Sequence, residues 1–116
     1  MSLDHLKNEK YISLVTFRKD GTEVATPVWF AERDGKLYVK TRGDSGKVKR
    51  LRRNGRVRVA PATFRGAVTG PAIEAKARVL PENEWTIPRA LLSKKYLFAR
   101  LSLFEKKNVY IEIAPV

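Results

Sequence analysis

EVATPVWFAERDGKLYVKTRGDSGKVKRLRRN, residues 23–54, is the stretch that decides the fold. Glu23 to Ala31 reads as a strand, Asp34-Gly35 as a tight turn because both residues tolerate positive φ, and Lys36 to Thr41 as the next strand. Upstream, Tyr11 to Phe17 alternates, with Ile12, Leu14 and Thr16 facing one way and Ser13, Val15 and Phe17 the other. Asp20-Gly21 turns it into the Glu23 strand, so the first third is a three-strand meander. Tight turns join antiparallel neighbours, which disfavours a parallel βαβ architecture.

Thr41 marks a change of composition. Lys40 to Arg58 holds nine basic residues and one acid, Asp44. Ser45 is a good N-cap, Val48 and Leu51 form an apolar stripe at helical spacing, and Asn54-Gly55 ends the element, which predicts a short basic helix over Gly46 to Arg53. A strand follows at Arg56 to Ala60, and Pro61 to Pro71 reads as a loop or broken strand. Ile73, Ala75, Ala77 and Val79 alternate with Glu74, Lys76 and Arg78 as a strand buried on one face. Pro81, Glu82 and Glu84 favour a helix start near Trp85, Pro88 is expected to break or restart it, and Ala90 to Phe104 reads as a second helical region. Asn108 to Ala114 closes as a final strand. About six short strands with two or three helices suit a small closed or partly closed barrel, because closure removes exposed edges.

The 116 residues are one domain's worth of chain, with residues 1–9 as a flexible or helical N-terminal segment. With 43% hydrophobic and 31% charged residues the composition is globular rather than disordered. No cysteine means no disulfide, thiolate metal site or cysteine nucleophile, and a cytoplasmic location is the default expectation. No signal-peptide stretch or membrane-spanning run is present in the sequence. The formal net charge of +12 predicts an anionic partner.

Two constellations bear on chemistry. Thr41 to Arg50 places a strand end, a capping serine and a helix N-terminus in succession, with Lys47 in the first turn and Arg50 one turn later. Free helix N–H groups, a hydroxyl and a lysine make a phosphate site, although a capped helix with a solvated basic face has the same sequence. Pro27 cannot donate to a ladder, so it marks an edge, a bulge or a place where pairing stops. His5 is alone in a segment expected to be frayed, Glu23, Glu32 and Glu74 are isolated, and no paired carboxylates, metal cluster or Ser-His arrangement stands out. Lys49, Arg52, Arg53, Arg56 and Arg58 could bind nucleic acid electrostatically, but the aromatics lack the spacing of a stacking motif, so nucleic acid is not the expected partner.

Thr26-Pro-Val-Trp-Phe30, Lys36-Leu-Tyr-Val-Lys-Thr41, Asp44-Ser-Gly-Lys-Val-Lys-Arg-Leu-Arg-Arg-Asn54, Arg56-Val-Arg-Val-Ala-Pro61 and Gly70-Pro71 ahead of the Ile73 strand, in this order, resemble the pyridoxamine-phosphate-oxidase-like family. The match is most similar to its deazaflavin branch, the PPOX-class F420-dependent oxidoreductases. The resemblance implies a mainly β fold, a six-stranded antiparallel Greek-key split barrel with short helices, working as a homodimer with cofactors at the subunit interface. It implies a cofactor ring beside Thr26, Pro27, Val28 and Trp29, and a ribityl phosphate on Thr41, Ser45, Gly46 and Lys47, with Lys49 and Arg50 as additions. The implied activity is hydride transfer between F420, or alternatively FMN, and an unsaturated small molecule, with no catalytic residue named. A non-catalytic flavin-binding protein and, more distantly, a basic nucleic-acid-binding domain are the other classes. The sequence departs from vitamin B6 oxidases by ending Ile113-Ala-Pro-Val116 without their further arginines and histidines, and from haem-degrading members because His5 lies outside the matched region.

Two expectations concern surfaces. Trp85, Leu91, Leu92, Phe98 and Phe104 are more apolar surface than two short helices hide on one subunit, which points to a dimer. The charge from Lys47 through Arg58 exceeds what one FMN phosphate needs, which suits the carboxylate tail of F420.

Overall fold

The computed structural model describes residues 3–6, 8–95 and 108–116. Its elements in chain order are β1 (Tyr11–Phe17), β2 (Glu23–Trp29), β3 (Ala31–Arg33), β4 (Lys36–Arg42), α1 (Gly46–Arg53), β5 (Arg56–Ala62), β6 (Ile73–Val79), α2 (Thr86–Lys95) and β7 (Asn108–Pro115), with 3-10 turns at Asp4–Leu6 and Glu82–Glu84. The strands form one antiparallel sheet in the order β2-β1-β5-β6-β7-β4-β3.

The sheet curls into a split barrel because one run of chain, residues 23–33, supplies both of its edges. Its first part pairs with β1, Trp29 opposite Tyr11, and its second with β4, Ala31 opposite Tyr38. The pleat continues through the change of partner: Val28 and Phe30 lie in the barrel core, whereas Trp29 and Ala31 join the cluster on the outside. This explains seven strands where the sequence suggests six. Alternation is uninterrupted from 23 to 33, but the ladder is broken at Phe30, which is completely buried.

The interior is filled by inward residues of every long strand, including Ile12, Leu14, Leu37, Val39, Val57, Val59, Ile111 and Ile113. At roughly 25 cal/mol per Å² of apolar surface removed from water, this cluster is the main stabilising element. The N-terminal segment is docked rather than frayed, since Leu3 and Leu6 are buried in the same core. Residues 61 and 62 belong to β5, so the loop starts two residues later than the sequence suggests. It then turns back across the outer face of β1 and β2, with Gly66 positioned so that a Cβ would lie 3.6 Å from Pro27 Cδ.

α2 packs on the outer face, where Leu92, Tyr110, Leu80 and Ala31 are buried together and Trp85 and Leu91 pack against them. Pro88 does not break this helix. It falls in the first turn, where the missing N–H has no intrahelical acceptor in any case, and the first α-helical bond runs from Arg89 N to Trp85 O at 3.0 Å. The expectation of unhidden apolar surface is corrected for Leu92, which the subunit buries, while Trp85 and Leu91 are partly buried against the same cluster and Ile87 on α2 stays 49% exposed; Phe98 and Phe104, and the helical stretch expected beyond Lys95, lie outside the described residues. Phe64 and Val68, at 64% and 57% exposure, are instead the large apolar side chains turned to solvent on the β5–β6 loop. No helix among the described residues is long and apolar enough to cross a membrane.

Candidate functional site: the split and its cationic mouth

Among the described residues β2 has β1 on one side and no strand on the other, and Pro27 sits on this edge strand, where a missing N–H is tolerated. β4 is covered by β3 only as far as Tyr38; from Val39 to Arg42 it pairs with β7 alone. β2 and the second half of β4 therefore diverge from Phe30, leaving a V-shaped split in the barrel wall. The wide end lies at the start of β2 and the end of β4.

α1 closes that end. Val48 and Leu51 are buried in the barrel as the stripe predicts, and Ser45 Oγ accepts from Val48 N at 3.4 Å. This cap satisfies one of the orphan amides and leaves those of Gly46 and Lys47 ahead of the first helical bond, Lys49 N to Ser45 O. On the side facing β1, Arg50 Nε donates to Thr16 Oγ1 at 2.6 Å and Arg53 Nη2 to Phe17 O at 3.1 Å. Arg50 thus ties the helix to the end of β1, where Thr16 is opposite Val24 of β2.

The charges here are unbalanced. Burial, and then the neighbouring Arg50, hold the Lys47 amine below the usual lysine value. Burial, then Arg18 and Arg53, likewise lower Arg50. Lys47, Arg50, Arg53 and Arg18 thus form a cluster of like charges in which no carboxylate contributes to these shifts. The rest of the basic run is not part of it. Arg58 is paired with Glu23 and Glu74, and Arg56 with Glu74 at 3.4 Å, on the outer face of β5 and β6. The single patch expected from Lys47 through Arg58 is corrected accordingly: helical period puts Lys47 and Arg50 on one face and turns Lys49 and Arg52 to solvent, and strand period sends Arg56 and Arg58 to acidic partners.

Ser45, Gly46, Lys47 and Arg50 are brought together at the mouth, with Thr41 half-buried at the end of β4. Lys49 is exposed on α1. Thr26 is half-buried and Pro27 exposed on β2, while Val28 points into the core and Trp29 packs outside against Ala31 and Leu80's cluster, its ring 6.4 Å from that of Tyr11. Thr16 and Arg18 were not singled out by the sequence, and Arg53 only as one of a run of cations that could bind nucleic acid; the available signal was Thr16, a hydroxyl at the end of the inward row Ile12, Leu14. A separate hollow of about 690 Å³ lies outside the split, on β5, β6 and β7, walled by Arg56, Lys76, Arg78 and Ala114 among others. Among the described residues no group of His, Asp and Glu could hold a metal ion.

The family model described as pyridoxamine 5'-phosphate oxidase matches residues 3–99. The chain belongs to the pyridoxamine 5'-phosphate oxidase family. Solved structures of the same fold include HutZ, a heme storage protein of Vibrio cholerae (13% identity, TM-score 0.77, covering 97% of this chain and 86% of that one). A FAD-binding protein from Mesorhizobium loti is similar at 20% identity and TM-score 0.72, over 95% of this chain and 82% of the other. An Agrobacterium tumefaciens protein of unknown function matches at 18% identity and TM-score 0.78; this oxidase-family chain is covered to 92% but spans only about half, 48%, of that relative. No curated protein sequence matches the chain.

Proposed function

We propose that the protein is a flavin- or deazaflavin-dependent oxidoreductase that holds the cofactor's phosphate at the start of α1 and its ring along β2, beside Pro27. The observation that carries this reading is the cluster of Lys47, Arg50, Arg53 and Arg18, where burial and mutual repulsion disfavour charge on Lys47 and Arg50 in the free protein. A phosphate accepting from Lys47, Arg50 and the two leading amides of α1 relieves that repulsion, and the helix dipole adds to it. The donor set therefore fits a phosphorylated cofactor. Hydride transfer to an unsaturated small molecule is chemistry that a reduced flavin or deazaflavin supplies when bound. The chain's own residues hold the phosphate, offer the open edge of β2 to a planar ring, and shield one side of the split with the core around Val28 and Phe30.

Two observations bear on which cofactor it is. Lys49 and Arg52 are exposed on α1 with no acidic partner among the described residues, which suits the additional carboxylates of F420 and favours the deazaflavin. FMN is the second reading, favoured by the FAD-binding relative and by the neutralisation of Arg56 and Arg58. His5, the one histidine of the sequence, is exposed on the N-terminal turn and belongs to none of the strands that border the split. Parallel titrations with F420 and FMN at low and high salt test the proposal. Tighter and more salt-sensitive binding of F420 is expected, since more exposed charges are neutralised. Equal affinities with equal salt slopes leave FMN as the cofactor, and no binding of either refutes the reading.

A further inference from the structure

Thr16 continues the inward row of Ile12 and Leu14 and is 1% exposed, yet it carries a hydroxyl where its neighbours carry hydrocarbon. A buried hydroxyl is costly unless hydrogen-bonded. Here Oγ1 accepts from Arg50 Nε, which fixes the plane of the guanidinium while leaving its terminal Nη1 and Nη2 fork without an acceptor among the described residues. The fork lies over Gly46. A Cβ on Gly46 would stand 2.8 Å from Arg50 Nη1, and Gly46 has no positive φ that would itself demand a glycine. A side chain at 46 would therefore require the end of Arg50 to move from its place over the first turn of α1.

We infer that Thr16 and Gly46 are positioning residues, which hold the Arg50 fork over the leading amides of α1 so that it meets a cofactor phosphate with two parallel hydrogen bonds. The inference rests on the cofactor reading above. Planar, bidentate recognition is what distinguishes arginine from lysine at a phosphate, and it is lost when the plane is free to rotate. A purely structural alternative is that the Thr16–Arg50 bond only straps α1 to β1.

The test compares each cofactor, FMN and F420, with its phosphate-free counterpart, riboflavin or the bare deazaflavin riboside, on wild type, Thr16→Val, Thr16→Ser and Gly46→Ala. Gly46→Ala leaves the barrel core untouched and displaces the fork from the other side, so it stands if Thr16→Val fails to fold. Loss of tenfold or more in affinity for the phosphorylated cofactor is expected for Thr16→Val and Gly46→Ala, with the phosphate-free counterpart bound as by wild type and Thr16→Ser restoring most of the loss. Equal loss for both members of a pair, or Gly46→Ala binding within twofold of wild type, overturns the inference while the cofactor reading stands. Failure of wild type to bind any of the four compounds overturns both.

Discussion

Lys47→Ala separates a binding lysine from a solvated one, because the structure sets opposite signs for its two effects. The amine is half-buried beside Arg50, and burial followed by Arg50 holds its pKa down, so in the cofactor-free protein its charge is opposed rather than rewarded. Removing it from that state relieves repulsion and costs only the packing of its aliphatic stem. In the bound state the same amine donates to a phosphate, a charge-assisted hydrogen bond worth about 1.5–3 kcal/mol. At 1.4 kcal/mol per decade this is roughly a ten- to hundredfold loss of cofactor affinity. Lys47→Met keeps the stem, so its cofactor-free melting temperature should equal or exceed that of wild type while its affinity falls as far as that of the alanine variant. Fluorescence titration gives the affinity and calorimetry the melting temperature. An affinity within twofold of wild type, or a cofactor-free protein destabilised by Lys47→Met, would refute the argument.

Three further outcomes follow from other parts of the molecule. Lys95 Nζ lies 3.7 Å from the centroid of the Phe30 ring and donates to Glu9 O at 2.7 Å, and burial lowers its pKa to about 8. That value is below the ordinary 10.5, so the unfolded chain binds more protons between the two and stability should rise as pH climbs from about 8 to 10.5; urea melts of Lys95→Met should show a flatter rise over that window, and parallel profiles would remove Lys95 as its cause. Phe30→Ala opens a cavity where the 23–33 run changes partner and should cost roughly 3–5 kcal/mol by denaturant unfolding, a loss below 1 kcal/mol meaning the ring is not a core element. A homodimer is expected, with Phe64 and Val68 as candidates for its contact; light scattering at micromolar concentration should give twice the 13.2 kDa chain mass, and a monomer mass would discard the interfacial arrangement.

The sequence made most of the barrel legible because its strands are hydrophobic on one face and its turns chemically explicit. Ser45, the Val48 and Leu51 pair and Asn54 mark α1 at both ends, and the helix spans Gly46–Arg53 as they predict. Alternation over Ile73–Val79 likewise delimits β6. What misled were residues whose partners are distant in the chain. Pro88 looks like a breaker until the helix start is known to lie two residues before it. Ser13, outward on β1, is buried in spite of its parity, since the loop after β5 folds back over that face. Leu3 and Leu6 looked like part of a loose tail because two apolar residues carry no period, and only the barrel end supplies their pocket.

The candidate site was legible in its residues but not in its extent, and the reason is geometric. Between Lys47 and Arg58 the backbone changes period, so equally spaced cations are dealt to different surfaces. In α1, Lys47 and Arg50 are three apart and share the face that turns toward the split, Val48 and Leu51 enter the core, and Lys49 and Arg52 turn to solvent. In β5, Arg56 and Arg58 are two apart and both face outward, where Glu74 on β6 meets them. These exposed strand pairs are worth about 0–1 kcal/mol each, but they offset the charge of Arg56 and Arg58, whereas no carboxylate is paired with Lys47 or Arg50 among the described residues. The cations left over stand where the barrel wall is open. The split exists because residues 23–33 exchange β1 for β4 at Phe30, and β4 must run past the end of that pairing before it can turn into α1. The helix start, its unpaired amides and the Arg50 fork are therefore carried to the mouth of the split by the same connection that leaves the split open.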